Sequence, residues 1–579
     1  MSNRNVKPRA PRPQTALTLV ATAVTLALGL AATIGLAVRN RAALDAAVAS
    51  VGDPASANFR KFITPDVFAA TYGQTPANVA LVSAWLKSKG FSITKVHANN
   101  LLITVQATNA QIAAAFGTTI HAFSAGGLAW QAPATNAIIP AQFAGVISVV
   151  SGLSNRPMAT SHRVTVPGDG VLAGDFVKPQ RTAGPLKPAT TPPGLYTTAD
   201  VAAKYNINPL YGKGYTGAGK TIGIATLASY YQSDAYQYWS DLKLAVSGTR
   251  ITDVLVDGGP TDGPLSDGSG ETTLDVEQSG GIAPGADMRV YMAPNTGSGF
   301  VDLFAQAVIE DKVDVLSISW GSPEIVNDGS TLLSVDFPAA DPTVLAAGGT
   351  TLPNTYAHKY GAVTVPTERA WGWDYMKDYM VTWYGLDTYH ASDMVVGGGG
   401  GVSVNFARPS WQGGVTGVAV SATAQTLICG PAVTGHGYGD FVDMPANAAG
   451  RNVPDVSLDA DPYSGFLVFQ SQPDNAPAIY TGNGGGTSFV APQLNGIFTL
   501  ISQGIPVTAS NPKGRIGTPG PQLYAAFKKV GYGAGSPFKA ITAGTNGFYK
   551  STATYNPATG LGSLDVDALA TTLGATAPH

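Results

Sequence analysis

The chain is poor in charge and nearly devoid of cysteine. Lysine, arginine, aspartate and glutamate make up 12% of its 579 residues, about half the share usual in soluble domains. A net charge of −3 offers no electrostatic footprint for nucleic acid. Low charge also means little self-repulsion when carboxylates protonate, which permits work in acid. The single cysteine, Cys429, excludes an intramolecular disulfide and a zinc motif, and reads as a small buried residue. Histidine is scarce too: His97, His121, His162, His358, His390, His436 and His579 are the seven, with none between residues 163 and 357. No His-Gly-Thr-His run exists, and the esterase elbow Gly-x-Ser-x-Gly fails because position 490 is Val490.

Glycine (69) and proline (40) are plentiful, and the most informative cluster is Gly484-Gly485-Gly486-Thr487-Ser488. Glycines allow a tight turn and close approach of a substrate to the backbone. An apolar run from Phe489 to Leu500 then reads as a buried helix with Ser488 at its head. There a hydroxyl can cap the helix, or act as a nucleophile with backbone N–H groups beside it for an oxyanion. The two readings are compatible. The partner stretch is Gly270-Glu271-Thr272-Thr273-Leu274-Asp275, followed by Ala283-Pro284-Gly285-Ala286. On a helix Glu271 and Asp275 face the same way. Neighbouring carboxylates repel, so one keeps its proton longer, which suits acid–base work. The bland alternative is an acidic pair on a solvated face.

Together, Gly-Thr-Ser488 followed by Pro492, and Glu271/Asp275 followed by Ala-Pro-Gly-Ala, resemble the motifs of the sedolisin (serine-carboxyl peptidase) family, acid-acting relatives of subtilisin. Ser317-Ile318-Ser319-Trp320-Gly321, Val344 to Thr350 and Arg451 to Ser457 follow the same pattern. The resemblance implies an α/β fold, with a subtilisin-like parallel-sheet catalytic domain preceded by an α+β pro-domain similar to the pro-kumamolisin activation segment. It implies Ser488 as nucleophile, Glu271 as base and Asp275 as its partner. It also implies polypeptide substrates and a pro-domain that covers the site until removed. A carboxylate base makes sense in acid, where an imidazole (pKa about 6.5) would be protonated and a Glu (about 4.3) can still accept a proton.

In chain order, Arg4, Lys7, Arg9 and Arg12 precede an uncharged run from Thr15 to Val38. This is the mark of an export signal or, given its length, of a membrane anchor, and it predicts a secreted or extracytoplasmic protein. Part of the run, Thr33 to Arg39, also reads as the first strand of the next domain. Residues 1–39 are therefore assigned to this segment and 40–157 to the pro-domain. Within the latter, Val82–Lys89 and Ala110–Phe116 read as helices, and Leu101–Val105 as a strand. Residues 158–194, rich in Pro, Gly, Thr and Ala, read as a linker where processing is expected. Residues 195–579 form the peptidase domain. Gly214 to Thr221 matches the phosphate-loop expression, but Ile222-Gly223-Ile224-Ala225 is strand-like where that loop needs a helix. Alternating strands and helices come after it, the rhythm of a parallel sheet.

Three departures from the family pattern stand out. The helix, strand and Ser-Gly-Asp-Ser-Gly run that should come after Ser319-Trp320-Gly321, and which carries an oxyanion-binding Asp, is absent; Asp328 matches the residues after it. Where the family's calcium carboxylates belong stand Ala540 and Asn556, so binding is expected to be weak or nil. Glycines just before the second of these are replaced by Thr552 and Thr554. These losses keep open a second reading, a catalytically impaired pseudopeptidase acting as an exported binding or structural protein.

Overall fold

The computed structural model describes residues 30–125, 128–165, 180–182, 192–323, 335–358, 361–384, 396–422, 424–428 and 441–578. Cys429, Asp328, His390, His436, His579 and the first 29 residues lie outside them.

Chain order begins with strand β1 (Leu30–Leu36). It is followed by helix α1 (Pro76–Ser88), which starts on a Thr75 cap with proline in its first turn. Strands β2 (Ser92–Val96) and β3 (Leu102–Ala107) come next. Helix α2 (Asn109–Phe116) opens with a Thr108/Gln111 capping box, and β4 (Ile147–Ser151) completes the unit. The four strands form an antiparallel sheet in the order β2-β3-β1-β4. Alternate residues of β1 and β3 (Ala32, Ile34, Ile103, Val105) meet Val82, Leu86 and Phe116 of the helices in one buried cluster. The sheet thus reaches back across residue 40. Leu30–Leu36 is a strand of it and not part of a membrane-crossing helix. No helix among the described residues is long and apolar enough to cross a membrane.

Beyond this sheet come the two-residue strands β5 (Thr160–Ser161) and β6 (Val164–Thr165), then β7 (Gln180–Thr182). The larger unit opens with β8 (Thr221–Thr226), β9 (Ile251–Leu255), helix α3 (Ser269–Ile282) and β10 (Asp287–Met292). Helix α4 (Gly297–Glu310), β11 (Val315–Ile318), β12 (Trp320–Pro323) and β13 (Asp336–Phe337) succeed them. Next are β14 (Ala347–Thr351), β15 (Arg369–Ala370), β16 (Val456–Asp459), β17 (Phe466–Gln470) and β18 (Ile479–Gly485). Helix α5 (Thr487–Gln503) carries Ser488. Lys220 runs straight into β8, and its ammonium donates to the Lys513 and Gly514 carbonyls, so no phosphate loop forms.

The parallel sheet is in two pieces. One is β9-β10-β8-β11, all parallel; the other is β15-β14-β16, parallel between β14 and β16. Among the described residues no strand pairs β11 with β14. Helix α5 packs on β8 and β11 of one piece and on β14 and β16 of the other, and so bridges the gap. Nearly all of α5 and every residue of α3 is buried, and the two helices lie against each other. Behind the second piece, Arg451 and Asp455 pair with both side chains fully buried, at 2.7 and 2.8 Å. The guanidinium stacks on Trp411, and Asp455 also accepts the Ala346 N–H.

Candidate active site

Glu271 lies in the first turn of α3 and Asp275 one turn later, both wholly buried. The solvated-face reading of this pair is therefore overturned. Asp275 Oδ1 accepts a 2.6 Å bond from the Ser319 hydroxyl, which also lies 3.5 Å from the Ser488 carbonyl. Ser488 is the second residue of α5. The N-cap is Gly486, and no side chain caps the helix, so the capping reading of Ser488 is also overturned. Its buried Oγ has no hydrogen-bond partner, nor do the two Glu271 oxygens or Asp275 Oδ2. Groups of this kind, buried and unpaired, are costly and cluster at functional sites.

Burial raises the Glu271 carboxyl above the ordinary range, while Ser488, Arg163, Ser161 and His162 pull it back. Ser488 and Glu271 are thus electrostatic neighbours without a hydrogen bond of normal geometry. Asp275 is raised well above its ordinary value, by burial and then by the Glu271 charge, with Ser319 opposing. Burial thus pushes both carboxyls toward their protonated forms, and the Glu271 charge adds to this at Asp275.

Arg163, Ser161 and His162 belong to the linker, which threads this site. Strand β5 pairs antiparallel with β12 (Ser161 with Trp320, Thr160 with Gly321), and His162 N–H donates to the Ser319 carbonyl at 3.3 Å. Strand β6 pairs antiparallel with β18 (Val164 with Gly485, Thr165 with Gly484). Between them the chain crosses Gly486, whose φ is 98°; a Cβ there would lie 2.0 Å from the His162 carbonyl oxygen. The His162 carbonyl is thereby set against the turn that leads into α5, where the first backbone N–H groups of a helix have no partner within it. Its imidazole meets Asp336 of β13, Nε2 to Oδ2 2.6 Å. Elsewhere, His97 bonds Thr104 and His121 bonds Thr119. No histidine among the described residues serves Ser488.

The profile of the family described as "Pro-kumamolisin, activation domain" matches residues 23–156. Kumamolisin of Bacillus sp. (strain MN-32) is 29% identical over 87% of this chain and 84% of its own length. Sedolisin of Pseudomonas sp. (strain 101) is 26% identical over 92% of this chain and 85% of its own. Xanthomonalisin of Xanthomonas sp. (strain T-22) is 28% identical over 93% and 65%. The chain is a homologue of the sedolisin family of serine-carboxyl peptidases. Among solved structures, Pseudomonas sedolisin (serine-carboxyl proteinase) complexed with two molecules of pseudo-iodotyrostatin covers 66% of this sedolisin homologue and 98% of its own chain, at 24% identity and a TM-score of 0.45.

The residues of this sedolisin homologue do not suit the family's calcium ion. Ala540 has no ligand atom in its side chain. The Asn556 Oδ1 is already committed to Ala558 N–H, Thr559 N–H and the Thr559 hydroxyl, at 3.0 to 3.2 Å. Among the described residues no group of three or more His, Cys, Asp or Glu could hold a metal. Two site residues escaped sequence reasoning, His162 and Asp336. The only signal was the extended, β-branched stretch Thr160-Ser161-His162-Arg163-Val164-Thr165 amid a proline- and glycine-rich linker.

Proposed function

We propose that the protein is an exported, acid-acting serine-carboxyl endopeptidase made as a zymogen. Ser488 is its nucleophile, Glu271 the general base and Asp275 the partner that holds the shared proton. The observation that carries this is the burial of both carboxyl groups on one face of α3 beside an unpartnered Ser488 hydroxyl, with the linker laid across all three.

Ser488 Oγ adds to the peptide carbonyl while Glu271 takes its proton. The C–N bond breaks as that proton passes to the leaving amine. Water, deprotonated by Glu271, then releases the acid and restores Ser488. Asp275, protonated, keeps a second negative charge away from Glu271. With the family's oxyanion Asp absent, the backbone N–H groups at the head of α5 carry the oxyanion, and one lost donor costs about 10²–10³ in rate. The linker makes the first substrate its own chain, with His162–Arg163 as the bond presented. Export is part of this reading, from the basic flank and apolar run before β1.

The gap between β11 and β14 is the observation that favours the alternative, a pseudopeptidase. Digestion of a denatured protein at pH values stepped from about 7 to about 4 separates the two: wild type cleaves it within that range and Ser488→Ala does not. Equal inertness of both supports the pseudopeptidase.

A further inference from the structure

The pro-domain grips the larger unit at a place that shares no residue with the cleft. After the helix Arg41–Gly52 the chain turns through residues 53–60 and ends that turn on Arg60, whose φ is 55°. This left-handed conformation favours glycine, and a long side chain persists there only where its surroundings over-determine it. The Arg60 guanidinium crosses to the larger unit. It donates to the Ile516 carbonyl at 3.1 Å, to Gln522 Oε1 at 2.7 Å and to the Leu573 carbonyl at 2.9 Å. The seat is preset. Gln522 Nε2 donates to the Ile516 and Thr518 carbonyls, at 2.8 and 2.9 Å, which fixes its oxygen toward the arginine. Leu573 caps the end of the helix Val566–Thr572, where carbonyls lack partners within the helix. Beside the seat, Phe62 N–H donates to the Ser510 carbonyl at 3.1 Å. The Phe62 ring fits because residue 517 is glycine: a Cβ there would lie 2.8 Å from the ring.

We propose that this arginine seat is the foothold that keeps the severed pro-domain on the peptidase unit, in acid as well as at neutral pH, so that cutting the linker does not by itself open the cleft. All three acceptors are neutral, two carbonyls and an amide, and none of them titrates. Burial lowers the Arg60 pKa to about 10, so the guanidinium stays a cation in acid and at neutral pH. Charged groups on the elements around it are paired elsewhere: Asp567 with Lys213, and Lys513 and Arg515 with Asp311. Lys95 of the pro-domain also takes a neutral acceptor, Gln306 Oε1 of α4, at 2.6 Å. Among the described residues no ion pair joins residues 30–157 to the larger unit, so protonating carboxylates breaks no such bridge. The titrating groups of the other contact, Asp302 and His97, are shifted in opposite senses by burial. A cut between His162 and Arg163 leaves Thr160–Ser161 on the pro-domain, paired with β12. A foothold outside the cleft then holds that strand at high effective concentration in the cleft, as the second site of a bivalent ligand does.

That the chain cuts its own linker rests on the peptidase reading; retention of the cut pro-domain does not, and the test keeps the two apart. The full chain carrying Ser488→Ala, with the recognition sequence of an unrelated protease placed within residues 166–179, is cut by that protease. The product is then run on gel filtration over a dilution series at about pH 7 and about pH 4. The two fragments should travel together at both pH values. Arg60→Gly suits a φ of 55° and so spares the turn itself. It should nevertheless raise the apparent Kd of the fragments about 10- to 100-fold at both pH values, the worth of hydrogen bonds to a charged group. Gln522→Met removes one acceptor and leaves the pro-domain sequence untouched, and should weaken binding about 10-fold. Fragments of Arg60→Gly that hold together as tightly as those with Arg60 would overturn the assignment. So would a cut pro-domain that falls away at about pH 4 with Arg60 in place. Neither result bears on whether Ser488 cleaves.

Discussion

The two walls of the cleft are built differently. On one side α3 and α5 lie against each other, almost wholly buried, and hold Glu271, Asp275 and Ser488 together. On the other side, among the described residues, no strand pairs β11 with β14, and a cavity of about 250 Å³ lies there. The first wall does not depend on sheet continuity. Helix α5 makes its own contacts with both sheet pieces, and buried apolar area, not strand pairing, holds it. A nucleophile and base can thus stay in register while the neighbouring surface is remodelled.

The largest expected effect lies on the intact wall. Glu271→Gln keeps the shape of the side chain but removes the base, and should lower kcat/KM by about 10²–10⁴-fold with little change in melting temperature. A loss no larger than tenfold would mean that another group takes the proton.

The broken wall should instead answer in stability. Asp455→Asn leaves the Arg451 guanidinium buried against Trp411 with no counter-charge. That should cost about 3–5 kcal/mol, measured by denaturant unfolding. Replacing both residues by apolar ones of similar volume should cost much less.

A pH profile sharpens the comparison further. Burial raises both carboxyls, and Asp275 more than Glu271. The active form, with one proton on the pair, should therefore appear as Glu271 ionises, above the ordinary glutamate range, and vanish as Asp275 ionises at higher pH. In Asp275→Asn the alkaline limb of kcat/KM should move away while the acid limb stays. An unmoved alkaline limb would assign that ionisation elsewhere.

The smallest effect belongs to the contact between the two units, far from the cleft. Asp302 of α4 accepts from Thr33 of β1 at 2.7 Å and from Thr104 of β3 at 3.3 Å, and Thr104 also bonds His97. Burial, reinforced by the charge of Asp257, raises Asp302 from 3.8 to about 7. Its contribution is full below pH 3.8 and is lost as pH rises through about 7. Burial, with Lys95 nearby, lowers His97 from 6.5 to about 4, so its contribution is full above pH 6.5 and is lost as pH falls through about 4. The two nearly offset between these limits. Asp302→Asn should expose the His97 trend alone, as a melting temperature that falls with acidification more steeply than in wild type.

Much of the fold was legible in the chain. Apolar patterning marked part of α1, α2 and β3, and the Glu-x-x-x-Asp spacing put both carboxylates on one helix face. Burial was not legible: α3 contains two threonines, three acids and three glycines, a composition that reads as solvent-facing and is covered because α5, β8 and β17 lie against it. The linker strands were invisible for a related reason. Two residues do not make a strand alone; they are extended because β12 and β18 offer free edges. Asp336 lay in plain view, but its partner is 174 residues earlier in a segment without periodicity.

The most direct test is to acidify the full chain in steps from about pH 7 to about pH 4 and follow intact mass and the new N-terminus beside Ser488→Ala. Wild type should be cut between His162 and Arg163, and Ser488→Ala should stay whole. A wild type that stays whole, or a cut that persists in Ser488→Ala, would contradict the assignment of Ser488 as the nucleophile of a self-processing peptidase.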